Sequence, residues 1–291
     1  MTDTLLRGIF PKSSIRFSIT QAAGVCSEGI RMHGSDFVSG WLLGEALTTA
    51  VLLSTLVKGD EKYTLRWQYP GPAGTILADL NEAAEVRGYT QTIALLELAP
   101  TLEEALGGDG KVSVVTHTAT RVVRTGVTEA LFRDIPRDMA HFLSFSHQTE
   151  TALAVGLVMP PTQPVHLTSA LGLILQPLPG SDLERFESAR QLVEQPDFRT
   201  WLETGEPQPL EVLHRLKLGE EPQILTRTTP RYRCGCSREK IDMILRMLPQ
   251  DELREMAEEG PSEVTCHFCG ARYVHSPDEL NAILHELAVT N

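Results

Sequence analysis

Alternating apolar and polar positions predict β-strands along the first 180 residues of the chain. The alternation is clear over residues 14–20 and 63–69, and similar patterns predict further strands over 74–80, 86–90 and 111–116. Residues 152–159 and 165–176 are more continuously apolar, which is typical of strands in the centre of a sheet. These segments together predict a core domain with a central sheet.

Helical periodicity predicts two long helices in the same region. Ser35 or Asp36 provides a cap for a helix that ends near residue 57, and Gly40 and Gly44 allow close packing on it. The apolar run within it, residues 41–57, contains Glu45 and is short for a membrane span, so we expect a buried helix. A second helix is predicted from Ile135 to about residue 147.

Residues 181–230 have a different pattern, in which apolar side chains are interleaved with acidic ones. Helices are predicted over residues 183–194, 197–203 and 210–218. Such amphipathic helices need an apolar surface to pack against. One interpretation is an ordinary helical layer docked on the core, and the other is a segment whose apolar face can be released.

Residues 231–291 are predicted to form a small C-terminal domain. The pattern indicates helices after Ser237 and over 250–259 and 277–287, with short strands over 263–265 and 271–275. The predicted fold class is therefore α+β, with three parts: a mixed α/β core domain with a central sheet (1–180), a helical linker (181–230) and a small C-terminal domain (231–291).

Charge disfavours nucleic acid as a partner. The net charge is −12, and even residues 231–291 carry 7 Lys/Arg against 11 Asp/Glu. Nucleic-acid binding depends on a positive face that neutralises phosphates, and no segment here is basic. The N-terminus lacks the pattern of a signal peptide, so we expect a cytoplasmic protein that does not interact with membranes.

Four cysteines near the C-terminus are the strongest chemical feature. Cys234 and Cys236 form one close pair, Cys266 and Cys269 form another, and twenty-nine residues separate the pairs. Four thiolates can complete a closed tetrahedral zinc site, and Gly235 would allow the backbone of the tighter pair to bend. The spacing leaves open a structural zinc site, a redox sensor, or both. Cys26 stands alone, and we expect it to be a buried structural thiol.

Two other classes of function are alternatives to a redox-sensitive zinc protein. The alternative is a zinc-ribbon binding module on an α/β scaffold without redox switching, although the Cys-x-Cys pair departs from the usual ribbon spacing. An enzyme is not expected. The turn at residues 107–110 lacks the Lys-Ser/Thr of a P-loop, and no nucleophile elbow surrounds the serines near residue 146.

The cysteine motifs resemble those of the 33-kDa chaperonin (heat shock protein 33) family. Residues 233–239 read Arg-Cys-Gly-Cys-Ser-Arg-Glu, and residues 263–269 read Glu-Val-Thr-Cys-His-Phe-Cys, with Tyr273 following. The resemblance extends over the whole chain, through residues 87–89, 146–151 and 173–180. It departs at His147, where the family usually has Glu.

This resemblance implies a redox-regulated, ATP-independent holdase that binds unfolding proteins under oxidative stress. It implies one Zn²⁺ in the reduced form, held by Cys234, Cys236, Cys266 and Cys269. It further implies that oxidation forms the disulfides Cys234–Cys236 and Cys266–Cys269 and releases the zinc, after which the linker and the C-terminal domain unfold and clients bind. The implied active form is a cytoplasmic homodimer, with the core domain serving client binding and dimerisation.

Overall fold

The structure is a computed structural model that describes residues 2–146 and 148–290. The chain divides into two compact units, Met1–Arg233 and Cys234–Asn291. The first unit is built from two mainly antiparallel sheets and several helices, and the second from three helices and a two-stranded hairpin. The α+β class predicted from the sequence is confirmed, and the strands predicted as one central sheet form two sheets.

The strands of the first unit form a five-stranded and a six-stranded sheet. Their bounds in chain order are β1 (Thr4–Phe10), β2 (Ile15–Gln21), β3 (Lys62–Gln68), β4 (Thr75–Asn81), β5 (Glu85–Thr90), β6 (Gly110–His117), β7 (Val122–Ala130), β8 (Ala152–Val158), β9 (Ser169–Pro177), β10 (Gln223–Thr228) and β11 (Arg231–Tyr232). The first sheet has the order β10-β1-β2-β9-β8, and the second has the order β11-β5-β4-β3-β6-β7. Among the described pairings of these strands, only β11 with β5 is parallel.

The helices of the first unit fill the space between the sheets and cover one outer face. Their bounds are α1 (Ala23–His33), α2 (Phe37–Leu53), α3 (Leu102–Leu106), α4 (Ile135–Ser146), α5 (Leu183–Glu194), α6 (Pro196–Thr204) and α7 (Pro209–Arg215). Asp36 caps α2 as predicted, since its carboxylate accepts a hydrogen bond of 2.8 Å from the Ser39 N–H.

Helix α2 is the centre of the core. It packs against strands of both sheets, and the most apolar 18-residue stretch within Phe37–Leu56 is 89% buried. That segment is long and apolar enough to cross a membrane by length and composition alone, but its burial inside the unit is what a core helix shows. The sequence-based expectation of a buried helix is confirmed.

The linker helices α5, α6 and α7 belong to the first unit and cover the five-stranded sheet on the face opposite α2. Strands β8 and β9 are buried along almost their whole length, because helices lie on both sides of them. The predicted bounds of α5 agree with the structure. Residues 223–228, by contrast, were predicted as linker without a strand, and they form β10 at the edge of the sheet beside β1.

The second unit has a small core. Its elements are α8 (Arg238–Leu245), α9 (Gln250–Glu259), β12 (Ser262–Thr265), β13 (Arg272–His275) and α10 (Pro277–Thr290). Ser237 caps α8 as predicted. The buried apolar side chains described in this unit are Ile241, Leu245, Leu253, Ala257, Leu280 and Ile283. The three-part division at residues 180 and 230 stays a prediction about function, since packing alone separates only two units.

Candidate metal centre

The two cysteine pairs lie on two backbone segments that precede or connect regular elements of the second unit. Cys234 and Cys236 are in the segment before α8, and Cys266 and Cys269 are in the turn of the β12–β13 hairpin. The turn is closed by hydrogen bonds to the Cys266 carbonyl and by Gly270, whose φ of 69° is a conformation that favours glycine. Both pairs are therefore positioned by local backbone structure.

The four cysteine sulfurs converge on one point. All four Sγ atoms lie within 4.8 Å of one another. The Sγ atoms of Cys234 and Cys266 are 3.6 Å apart, and those of Cys236 and Cys269 are 3.4 Å apart. A tetrahedron with Zn–S bonds of about 2.3 Å has sulfur–sulfur edges of about 3.8 Å. The cluster therefore fits a tetrahedral zinc ion, and its cross-pair distances exceed the roughly 2.05 Å of a disulfide bond.

The thiols of the cluster differ in acidity. Burial opposes ionisation of Cys236, but hydrogen bonds from Tyr273 and from the neighbouring thiols outweigh it and lower its pKa to about 7. Burial raises the pKa values of Cys266 and Cys269, and thiolate neighbours add to that rise. A bound cation would hold the thiols of Cys266 and Cys269 as thiolates against this rise.

Comparisons with known proteins agree with the cysteine cluster. The family profile described as Hsp33 protein matches residues 3–276. The chain belongs to the Hsp33 family. The 33 kDa chaperonin of Bacillus subtilis is 30% identical over 97% of this chain and 98% of its own length. That of Enterococcus faecalis is 32% identical over 96% of this chain and 95% of its own length.

A solved structure agrees with this assignment at the level of the fold. The crystal structure of the 33 kDa chaperonin of Thermotoga maritima matches with a TM-score of 0.86 at 26% identity and covers 100% of both chains. The family resemblance inferred from the cysteine motifs is thus confirmed. The chain belongs to a family of chaperones, and four clustered cysteines in it could hold a metal ion.

Tyr273 is a further member of the cysteine site in this Hsp33 protein. Its hydroxyl donates a hydrogen bond of 3.1 Å to Sγ of Cys236. The hydrogen bond to Cys236 and burial together raise the pKa of Tyr273 to about 12, so the hydroxyl keeps its proton. Sequence analysis noted Tyr273 only as part of the family motif. Tyr273 is the second residue of β13, the strand that follows the cysteine turn, and this position could have indicated its role.

The other residues weighed from the sequence lie outside the sulfur cluster. His267 is exposed and His285 is exposed. His275 is buried, and its Nε2 lies 2.8 Å from Oδ1 of Asp242, so it is a packing residue. Cys26 is fully buried in α1, and burial raises its pKa to about 12, as expected for a structural thiol. His147, where the sequence departs from the family pattern, lies outside the described residues.

A second candidate feature of this Hsp33 chain is the surface that the linker helices cover. We call it the linker interface. Its buried apolar side chains from the linker are Phe186, Ala189, Val193, Phe198, Leu202, Val212, Leu213, Leu216 and Leu218, which pack on the five-stranded sheet. Uncovering this interface would expose apolar surface on both the linker and the sheet. The structure shows the docked helical layer considered from the sequence, and release of its apolar face stays a prediction.

One arginine adds a polar anchor to the linker interface. Arg199 on α6 pairs with the carboxylate of Glu45 on α2, and its Nη1 donates a hydrogen bond of 2.6 Å to Oδ2 of Asp134. Its Nε donates to Glu203 at 2.9 Å. Glu45, only 3% exposed, also accepts a hydrogen bond of 3.1 Å from Trp41 Nε1. This ion pair was not predicted from the sequence, although a single charged residue, Glu45, within an apolar helix indicates a buried partner.

Proposed function

We propose that this Hsp33 protein is a redox-regulated, ATP-independent holdase that binds unfolding proteins and prevents their aggregation under oxidative stress. The observation that carries this proposal is the convergence of four half-buried cysteine sulfurs in a unit with a small apolar core. A unit of this size depends on whatever joins its segments, so chemistry at the sulfurs can control whether it is folded.

In the reduced state we propose that Cys234, Cys236, Cys266 and Cys269 hold one zinc ion. Zinc bound there would supply a closed crosslink between the segment before α8 and the β12–β13 turn. The Tyr273 hydroxyl supports the thiolate of Cys236 by donating a hydrogen bond. In this state the linker helices remain packed on the five-stranded sheet, and the chaperone is inactive.

Activation by an oxidant follows from the chemistry of the thiolates. We propose the disulfides Cys234–Cys236 and Cys266–Cys269, which remove all four metal ligands and so release the zinc. As each S–S bond forms, its two thiolates give up two electrons, which with two protons break the O–O bond of one hydrogen peroxide molecule and yield two water molecules. Disulfides within each pair leave the two segments unconnected, and the small core of the second unit then loosens.

Loss of structure is then expected to spread into the linker. Cys234 lies two residues after the end of β11 (Arg231–Tyr232), and β10 of the linker ends at Thr228, so the unfolded segment is close to the linker along the chain. Release of residues 181–230 would expose the linker interface to unfolding client proteins. In this proposal residues 1–180 bind clients and form the homodimer, 181–230 act as the releasable linker, and 231–291 form the redox switch.

The remaining parts of the proposal concern ATP, location and partners. The chain lacks phosphate-binding P-loop and dinucleotide-binding motifs, which supports ATP independence. The acidic charge supports a cytoplasmic protein that binds neither nucleic acid nor membranes. Unfolding proteins are the proposed partners.

The test combines zinc, thiol and chaperone measurements on the same sample. Reduced protein is treated with peroxide under mild heat, and released zinc, free thiols and suppression of aggregation of a heat-unfolded client are followed together. We expect one zinc to be released, four thiols to be lost and aggregation to be suppressed. A Cys26→Ser variant is the matched control, and it should respond like the wild type.

Two outcomes would contradict the proposal in different ways. If zinc is released but aggregation is not suppressed, the protein is not a holdase. If zinc and thiols are retained after peroxide, the cysteines form a structural site, as in the alternative of a zinc-ribbon module without redox switching.

A further inference from the structure

The first unit contains a cavity of about 670 Å³ that the proposed chaperone function does not use. Its wall includes four cationic side chains from separate elements: Arg7 on β1, Arg16 on β2, Lys58 after α2 and Arg124 on β7. These cations are brought together by the fold, since they lie up to 117 residues apart in sequence.

The cations of this cavity are not neutralised by the protein. Among the described residues, none of the four forms an ion pair with a carboxylate. Among the described residues of the lining, two are acidic, Glu61 and Glu82, so positive groups outnumber negative ones there although the chain has a net charge of −12. Four cations against two carboxylates leave an excess of positive charge in the lining, and a bound anion would balance it.

Arg16 is the fixed member of the group. Its Nε and Nη2 donate hydrogen bonds of 3.0 and 2.6 Å to Oε1 of Gln176, whose amide in turn donates to Thr151 at 2.8 Å. Gln176 is only 2% exposed, so the guanidinium is held in place from its buried side. Burial and the nearby charge of Arg7 lower the pKa of Arg16.

Arg7 and Arg16 lie on one face of the sheet as diagonal neighbours. Arg7 pairs with Ser18, and Arg16 pairs with Ile9 in the β1–β2 register. Nearby, the Thr116 side chain lines the cavity, and its buried hydroxyl makes no hydrogen bond among the described atoms. Two guanidinium groups and a spare hydroxyl offer several donors to one ligand, which suits the many acceptor oxygens of a phosphate.

We propose that this cavity binds a small organic phosphate. The volume lies in the range of small-molecule sites, and four cations match an anion of charge −2 or more. Tyr63, the aromatic residue in the wall, is 5% exposed and its hydroxyl is bonded to the Leu56 carbonyl. It presents no ring face on which a nucleobase could stack, so the recognised part is the phosphate.

The test is isothermal titration of fructose bisphosphate into the reduced, zinc-loaded full chain at constant ionic strength. We expect saturable binding of one ligand per chain. Arg7→Gln and Arg124→Gln should each weaken it by about tenfold, since each removes charged donors. Both side chains are exposed, so these variants should keep the wild-type melting temperature.

Arg66→Gln is the matched control. Arg66 is an exposed arginine on β3, the strand that carries Tyr63, but it does not line the cavity. It should bind the ligand as the wild type does, and adipate, a dicarboxylate of similar length, should bind much more weakly. The proposal is overturned by lack of saturable binding, by equal losses in Arg66→Gln and Arg7→Gln, or by adipate binding as tightly. Binding is expected without oxidation, so its failure says nothing about the redox switch.

Discussion

The two units of this Hsp33 protein differ in what holds them together. The first unit surrounds the buried helix α2 with two sheets, and its core includes large, fully buried side chains such as Trp67 and Phe142. The described part of the second unit buries only a few apolar side chains, and it also brings four half-buried sulfurs together. A domain below about 70–80 residues gains only about 3–5 kcal/mol from its core. Stability in the second unit is therefore expected to reside in the sulfur cluster.

This difference between the units indicates that a change at a single site would unfold the second unit more readily than the first. A change at the sulfurs can unfold the second unit while the first keeps its core, because bound zinc contributes about 10 kcal/mol or more to domains of this kind. The linker interface occupies an intermediate position. It is well packed within the first unit, but its helices lie in the linker, which precedes the proposed redox switch in sequence.

The largest expected effect is that of Cys266→Ser. Removing one of four ligands should weaken zinc binding and destabilise the second unit by several kcal/mol, up to about 10 kcal/mol if zinc is lost. Hydrogen exchange measured by mass spectrometry should show loss of protection over residues 234–291 and unchanged protection in β3 and β4. Cys26→Ser should retain zinc. Unchanged protection in the second unit of Cys266→Ser would show that its fold does not depend on the metal.

The second prediction concerns the polar anchor of the linker interface. Arg199→Met should destabilise the first unit by about 3–5 kcal/mol, because it leaves the buried carboxylate of Glu45 without its cation. Adding Glu45→Gln should recover part of the loss. Urea unfolding of the single and double variants measures the coupling between the two side chains. Losses that simply add would show that the pair does not hold α6 on the core.

The cost of Arg199→Met should also depend on pH. Burial raises the pKa of Glu45 to about 7 even with Arg199 attracting its charge, and removal of Arg199 should raise it further. The folded wild type loses this proton near pH 7, whereas the folded variant keeps it to higher pH, so the two proteins differ in their proton binding only above about pH 7. Destabilisation should therefore be smallest near pH 5 and grow towards pH 8. A pH-independent cost would contradict this assignment of charge.

The third prediction tests the fit of the linker interface. A Cβ added to Gly156 in β8 would clash with Cβ of Leu202 in α6, so Gly156→Ala should push the helix off the sheet and cost about 1–3 kcal/mol. The matched control is Gly40→Ala in α2, where the nearest atoms are 3.5 Å away and alanine favours the helix. Under the proposed function, Gly156→Ala should suppress client aggregation at a lower oxidant dose. An unchanged dose response would show that packing at the linker interface does not control activation.

Sequence patterns could predict those parts that depend on local periodicity and capping. Helix α2 with its Asp36 cap, helix α5 and the cysteine pairs all follow from short-range signals. Helix α1 was missed because Ala22 provides no side-chain cap and glycines interrupt its pattern. Strand β10 was missed because its residues are mostly exposed at a sheet edge and lack a buried face. The pairing of Arg199 with Glu45 joins positions 154 residues apart, so only the tertiary fold brings them together.

The smallest expected effect is that of Tyr273→Phe in the second unit. The variant keeps the ring and removes only the hydroxyl that donates a hydrogen bond of 3.1 Å to Cys236. Without that donor the pKa of Cys236 should rise from about 7, so fewer molecules carry the thiolate at neutral pH and the zinc affinity should fall by about tenfold. Competition with a chromophoric chelator at pH 7 measures this change, and the difference in affinity should shrink at higher pH, where the thiolate forms without the hydrogen bond.

The control is Tyr63→Phe, which removes a hydroxyl bonded to a backbone carbonyl in the first unit and should leave zinc affinity unchanged. Equal affinities for wild type and Tyr273→Phe would show that the four sulfurs hold the metal without support from the surrounding residues.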